Sequence, residues 1–136
     1  MNADLLKVVI GGVVGAHGIG HVLGWMPAWG IAKFEGMSSH SWLLTGLVGD
    51  GTARLVGGAL WFVPMVGFLA ATAGFFLGQG WWRPVAVGSA AVSLVALVLF
   101  FDALPVGSRV GCVAVDLAVL YAVLVAGWPS ASAVGA

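Results

Sequence analysis

The sequence predicts an all-α fold, an integral membrane four-helix bundle, and three observations lead to that prediction. Hydrophobic residues make up 61% of the 136-residue chain and charged residues only 7%, whereas soluble domains carry about 25% charged residues. Four apolar stretches recur along the chain, separated by polar, glycine-rich or proline-containing segments. Each is close to the roughly 20 residues of helix that cross a hydrocarbon core of about 30 Å. We therefore expect a multi-pass membrane protein, located in a bacterial inner (plasma) membrane.

The four predicted spans together form a single transmembrane domain over residues 1–136. Pro27 and Pro129 mark the ends of the first and last spans, because proline has no N–H to donate within a helix. A Trp81-Trp82-Arg83 sequence precedes the third span and is typical of an interfacial anchor. We place the spans at about residues 5–25, 53–77, 85–101 and 108–128.

The one long polar stretch, at about residues 28–52, connects the first two spans. It carries several charged residues and a serine- and histidine-rich cluster at 38–41, together with Trp29, Trp42 and a leucine pair at 43–44. Tryptophans favour the level of the lipid headgroups. The composition predicts an amphipathic loop that lies on the membrane or re-enters it.

Two histidines, His17 and His21, interrupt the apolar pattern of the first span. An ionisable residue within a span is costly to keep there, so it marks a candidate functional site. Residues four apart share one face of a helix. Glycines 11, 15 and 18 form the neighbouring face, which allows another helix or a flat ligand to approach the histidines closely.

Most ionisable residues fall in one half of the membrane, the half next to the long loop. His21 and Asp116 lie roughly 6 and 12 Å inside the loop-side ends of their predicted spans, and His17 lies one turn deeper than His21. Cys112 lies one turn above Asp116 on the same face. If the first and fourth spans pack together, Asp116 approaches both histidines. An intervening helix would rule out such a shared site.

Four interpretations of these residues remain open from the sequence. His17 and His21 have the spacing of a metal site, which Asp116 and Cys112 would complete, although the glutamate of the hydrolytic zinc motif is missing from His17-Gly-Ile-Gly-His21. A histidine also suits haem, chlorophyll or quinone, with Asp116 in support. A proton or ion path would require an oligomer of these short bundles. Finally, hydrogen bonds of the same groups would simply hold the bundle together.

Three motifs resemble the small bacterial four-helix membrane proteins of the DoxX-like group. They are GTARLVGG at residues 51–58, Trp81-Trp82-Arg83, and Val-Asp-Leu at residues 115–117. The likeness covers most of spans two to four and does not include the histidine segment. It implies a four-helix membrane fold and an association with membrane redox partners or with thiosulfate and quinone chemistry. No catalytic residue carries over from it.

The sequence contains no complete catalytic constellation, so we expect a small non-catalytic membrane subunit, an accessory or anchor in a larger respiratory, photosynthetic or redox complex. The alternative is a membrane redox protein that binds a metal, haem, chlorophyll or quinone through His17 and His21. Under either interpretation, we expect the chain to contact the lipid bilayer and to bind other membrane subunits, or further copies of itself, through glycine-rich helix faces. Five Lys/Arg balance five Asp/Glu, so nothing indicates nucleic acid.

Overall fold

The computed structural model describes residues 2–134, which contain six α-helices and no strand. A π-helical segment, Tyr121–Val125, continues the last α-helix, and 3-10 turns cover Phe101–Ala103 and Ser132–Val134. The α-helices are α1 (Ala3–Gly20), α2 (Val22–Ala28), α3 (Leu44–Val48), α4 (Asp50–Phe76), α5 (Trp82–Leu99) and α6 (Val106–Leu120).

Within the described residues, four helical segments are long and apolar enough to cross a membrane. The first combines α1 and α2, and the last combines α6 with the π-helical segment. The predicted all-α four-helix bundle is therefore confirmed. The four segments are Ala3–Ala28, Asp50–Phe76, Trp82–Leu99 and Val106–Val125.

The first span differs from its prediction in two ways: it is broken at His21, and it continues past the expected stop. Pro27 lies inside α2 instead of ending the helix before it. The helix closes directly afterwards, where the Arg54 side chain donates hydrogen bonds to the carbonyl oxygens of Ala28 (3.0 Å) and Pro27 (3.5 Å). An external donor therefore satisfies carbonyls that a helix end would otherwise leave without a partner.

The other span boundaries move by one to three residues. Helix α4 begins at Asp50 rather than 53, directly after Gly49, whose φ of +83° is accessible to glycine at little cost. Asp50 then lies in the first turn, where a carboxylate is favourable. Helix α5 begins at Trp82, so the predicted anchor forms its first turn. Helix α6 begins at Val106, and its span ends at Val125.

Helix α4 is the central element and packs against α1, α2, α3 and α5. Glycines make these contacts close. A Cβ on Gly18 would lie 2.9 Å from the Cβ of Phe68, and a Cβ on Gly24 would lie 2.5 Å from the ring of Trp61. The predicted glycine face beside the histidines therefore receives a helix of the same chain. Its expected use in binding other subunits remains a prediction.

Buried apolar side chains concentrate at the loop-side end of the bundle. There the loop between α2 and α3 is tied to the end of α5. The buried Ser41 hydroxyl donates to the carbonyl of Leu99 (2.5 Å), and the Trp42 indole N–H donates to the carbonyl of Val98 (2.7 Å). The apolar cluster beneath consists of Trp61, Ala96, Leu97, Phe100, Ala103 and Leu104.

Helix α6 lies at the edge of the bundle. It packs mainly against α5 and touches α1 at fewer positions. Among its fifteen residues, all within the described part of the chain, Asp116 alone is buried. The remainder of the helix presents apolar side chains outward, including Val106, Val110 and Leu117, each more than half exposed. A polar residue, rather than an apolar seam, therefore marks where α6 joins the bundle.

Candidate functional site

The structure brings His17 and Asp116 into direct contact. His17 lies in the last turn of α1 and Asp116 in the middle of α6. The His17 Nε2 and the Asp116 Oδ1 are 2.8 Å apart although 99 residues separate them in sequence. Both side chains are buried, and Asp116 has no exposed surface. The proximity predicted from packing of the first and fourth spans is therefore present.

His21 reaches the same place through a residue that the sequence did not single out, Ser93 of α5. The Ser93 hydroxyl lies 2.6 Å from the Asp116 Oδ2 and 2.9 Å from the His21 Nε2. Ser93 is fully buried. We call His17, His21, Ser93 and Asp116 the polar cluster; it links α1, α5 and α6 through side chains alone.

A depth comparison extended to hydroxyl groups would have added both Ser89 and Ser93 to the candidates. Ser93 lies six residues from the end of α5, about 9 Å along the helix. The other three members lie about 10–16 Å along their own spans from the loop-side ends, by the same rise per residue. In the sequence, Ser93 belongs to a face of small residues on the third span, and such faces are ordinary in membrane helices. Spacing alone therefore did not separate it from its neighbour Ser89.

The break between α1 and α2 follows from the second contact of His21. Its backbone N–H bonds to the carbonyl of Gly18, three residues back. The carbonyl of His17, four residues back, instead accepts from the His21 Nδ1 at 2.9 Å. A side chain that inserts into the helical hydrogen-bond ladder is a recognised cause of a kink. The imidazole that bonds this carbonyl at the helix break thus also belongs to the polar cluster.

Two aromatic residues of α4 cover the polar cluster on the side away from α6. The Phe68 ring centroid lies 4.8 Å from that of His17 and 5.7 Å from that of His21. Trp61 lies 5.9 Å from His21, and the two imidazoles meet edge to face at 4.9 Å. Phe68 and Trp61 are themselves buried. Hydrogen bonds in such a low-dielectric setting are stronger than in water, and an unpaired polar group is more costly.

Cys112, the fourth residue proposed as a metal ligand, makes no hydrogen bond to the polar cluster within the described residues. It is half-buried and packs against the apolar cluster that contains Trp61 and Phe100. Within residues 2–134 no group of three or more His, Cys, Asp or Glu side chains has an arrangement that would hold a metal ion. The metal and cofactor roles of His17, His21, Asp116 and Cys112 remain predictions.

Two ion pairs lie at the surface near the loop-side ends of the bundle. Asp50 and Arg54 approach to 3.9 Å at the start of α4, and Asp102 and Arg109 to 3.7 Å across the turn before α6. Both aspartates are well exposed, so each pair contributes about 0–1 kcal/mol. These charges belong to the membrane boundary and not to the polar cluster.

An apolar cleft of about 340 Å³ separates α1 from α6 on the side of the polar cluster that faces the chain termini. Its size falls within the usual range for small-molecule sites. Part of its wall comes from the π-helical segment, a feature often found at functional sites. Among the described residues that line it, Val115 is adjacent in sequence to Asp116 and Val14 lies three residues before His17, while His17 and Asp116 do not contribute. A molecule seated in the cleft would meet only apolar walls.

None of the protein-family models, curated proteins or solved structures compared with the chain matches it. The resemblance to DoxX-like proteins therefore remains a prediction.

Proposed function

We propose that the chain is a small, non-catalytic integral membrane subunit, an accessory or anchor within a larger respiratory, photosynthetic or redox complex. The observation that carries the proposal is how α6 is held. Asp116 is the one buried residue among the fifteen of this fully described helix, and both of its carboxylate oxygens are hydrogen-bonded to side chains of the same chain. The polar cluster thereby fastens a helix whose outer face is free for other contacts.

The outer face of α6 supports a packing role because it is apolar and continuous. Leu117 of α6 is 53% exposed, and Leu124 and Val125 of the π-helical segment that continues it are 65% and 71% exposed. Val106 and Val110 of α6 are also exposed. Two further glycines, Gly107 and Gly111, stand one turn apart with open space where a Cβ would be. Small residues spaced in this way permit close approach of a second membrane helix. We propose that this face meets another membrane subunit of the complex.

Site-specific photo-crosslinking in the native membrane tests the proposal. A photoreactive residue at Val110, on the outer face of α6, should give one discrete crosslinked polypeptide. The same residue at Val63, which is 54% exposed on α4 compared with 64% for Val110, serves as the control and should give only lipid adducts. Matching lipid-only products from both positions, together with a monomer on native gels in mild detergent, would refute the assembly role.

The cofactor alternative places a different demand on the same residues. A metal, haem or chlorophyll needs a free imidazole nitrogen, whereas the His17 Nε2 and both ring nitrogens of His21 already make hydrogen bonds within the protein. Binding through His21 would have to displace one of these hydrogen bonds, whereas the His17 Nδ1 makes none with the described residues and could bind a ligand without such a loss. Metal analysis and a visible absorption spectrum of the purified protein separate the two proposals. A stoichiometric metal or chromophore that is lost in His17→Ala or His21→Ala would overturn the non-catalytic role.

A further inference from the structure

The hydrogen bonds of the polar cluster can be satisfied by two different placements of the same hydrogens, a property that a purely structural network does not need. Four contacts join its members in one chain: His17 Nε2 to Asp116 Oδ1, Asp116 Oδ2 to Ser93 Oγ, Ser93 Oγ to His21 Nε2, and His21 Nδ1 to the carbonyl of His17. All lie between 2.6 and 2.9 Å. Each such contact needs one hydrogen, held by one of its two atoms.

The number of available hydrogens restricts which atom of each contact can be the donor. The carbonyl of His17 can only accept, so the His21 Nδ1 must carry a hydrogen. The Ser93 hydroxyl has one hydrogen and can donate in one direction only. With His17 donating from Nε2, two arrangements satisfy all four contacts, and both use four hydrogens.

In the charged arrangement Ser93 donates to an ionised Asp116, and His21, protonated on both nitrogens, donates from Nε2 to Ser93. In the neutral arrangement a protonated Asp116 donates from Oδ2 to Ser93, and Ser93 donates to the bare Nε2 of His21. The cluster has no net charge in either arrangement. With the His17 Nε2–H and the Ser93 hydroxyl hydrogen in place, any other placement of the remaining two hydrogens leaves a buried contact without one, at a cost of about 1–3 kcal/mol.

We infer that His21, Ser93 and Asp116 form a proton relay within the membrane bundle. In the forward step the His21 Nε2–H bond breaks as a Ser93 O–H bond forms, while the original Ser93 O–H bond breaks as the Asp116 Oδ2–H bond forms. One proton is thereby moved from the imidazole to the carboxyl, and the hydroxyl is regenerated. No electron is transferred and no other reactant is consumed.

The surroundings suit a relay rather than a permanent ion pair. Phe68 and Trp61 of α4 face the imidazoles and carry no charge. The other titratable groups near the relay are His17, which bonds the second carboxylate oxygen, and Cys112, one turn away on α6. Within residues 2–134 no Lys or Arg side chain pairs with Asp116, and its contact with His17 is an ion pair only when that imidazole is protonated. The charged arrangement thus gains little from outside and competes with the neutral one, which avoids separating charge in a low-dielectric site.

Asp116→Asn is the decisive variant because asparagine imitates the protonated carboxyl. Its amide oxygen accepts from His17 and its amide N–H donates to Ser93, so all four contacts survive in the neutral arrangement. The amide has no proton to return. The variant should fold as the wild type does and hold His21 permanently neutral.

The test uses full-length protein in lipid nanodiscs with ¹⁵N-labelled histidine and ¹³C-labelled aspartate carboxyl groups. In the wild type the His21 ring nitrogens should show exchange between imidazolium and neutral imidazole, and heating should shift both His21 and the acid and carboxylate infrared bands of Asp116 together. His40, in the exposed loop, gives a separate reference signal. Asp116→Asn should leave one neutral His21 form carrying its proton on Nδ1.

Two serine variants test the path. Ser93→Ala should abolish the exchange, whereas Ser89→Ala, one turn away and bonded to the carbonyl of Val85 in its own helix, should preserve it. A wild-type His21 that holds a single form at every temperature would overturn the relay, as would exchange that persists in Ser93→Ala. If Ser93→Ala fails to fold, Asp116→Asn decides the question: unchanged exchange in that variant refutes the inference.

Discussion

Replacing Asp116 by alanine should loosen α6 from the bundle. The substitution removes the hydrogen bonds of 2.8 and 2.6 Å to His17 and Ser93. Side-chain hydrogen bonds between membrane helices average about 0.6 kcal/mol each, so the two together contribute about 1.2 kcal/mol. Ser93 can turn its hydroxyl to His21, but the His17 Nε2–H is left buried without a partner, at a further cost of about 1–3 kcal/mol. We expect a loss of about 2–4 kcal/mol.

Asp116→Asn is the matched control for this loss. It keeps the size of the side chain and both contacts, so we expect it to change stability by less than about 1 kcal/mol. Reversible unfolding in mixed micelles, followed through tryptophan fluorescence, measures both variants. Equal losses in Asp116→Ala and Asp116→Asn would refute the hydrogen-bond argument, as would an alanine variant within about 0.5 kcal/mol of wild type.

The single cysteine of the chain reports whether the loss is local to α6. Cys112 lies one turn before Asp116 and is half-buried against the apolar cluster. If α6 separates transiently, a membrane-permeant maleimide should label Cys112 faster in Asp116→Ala. A loss of 2 kcal/mol or more corresponds to an acceleration of roughly 30-fold or more, because 1.4 kcal/mol is tenfold in an equilibrium. Unchanged labelling alongside reduced stability would place the damage elsewhere.

Two further predictions concern contacts outside the polar cluster. Gly24→Ala should destabilise the bundle by about 1–3 kcal/mol, because its methyl would lie 2.5 Å from the buried ring of Trp61. The control, Gly20→Ala, meets nothing within 4 Å and should be neutral or slightly stabilising. A more stable Gly24→Ala in the same unfolding assay would contradict the expected clash and show that the ring moves freely. Ser41→Ala removes the 2.5 Å hydrogen bond to the carbonyl of Leu99 and should lower stability by about 1–3 kcal/mol. The loss should appear as faster hydrogen exchange of the loop amides at 38–45. Unaltered exchange would show that the hydroxyl does not hold the loop to α5.

Hydropathy and length were enough to predict the four spans, because lipid imposes the same demand on every segment that crosses it. The boundaries needed information that the sequence does not display locally. Arg54 is 26 residues from the Ala28 carbonyl that it caps, and that cap lets α2 extend past Pro27. The helix break at His21 likewise depends on a side chain taking a backbone acceptor, which no periodicity records.

The candidate site was predicted in part for a similar reason. Charged and imidazole groups stand out in an apolar span because keeping them there is costly, so His17, His21 and Asp116 were found by type and depth. Ser93 did not stand out, since a serine is also an ordinary small residue in a helix interface. Only the fold places its hydroxyl between Asp116 and His21, and that position turns three separate polar residues into one connected cluster.

The isolation of Asp116 on α6 also bears on how the chain is made. An aspartate at the centre of a span adds about 2.5–3.5 kcal/mol to the cost of insertion from the translocon, and until α1 and α5 are in place no partner relieves it. The last span has a mean hydropathy of 1.9, the highest of the four, which offsets that burden during synthesis. The fourth span therefore enters the bilayer because of its own hydrophobicity, but its hydrogen bonds to α1 and α5 form only after those helices have assembled. A chain whose earlier spans have not yet assembled therefore keeps the Asp116 carboxyl in the bilayer without its partners His17 and Ser93.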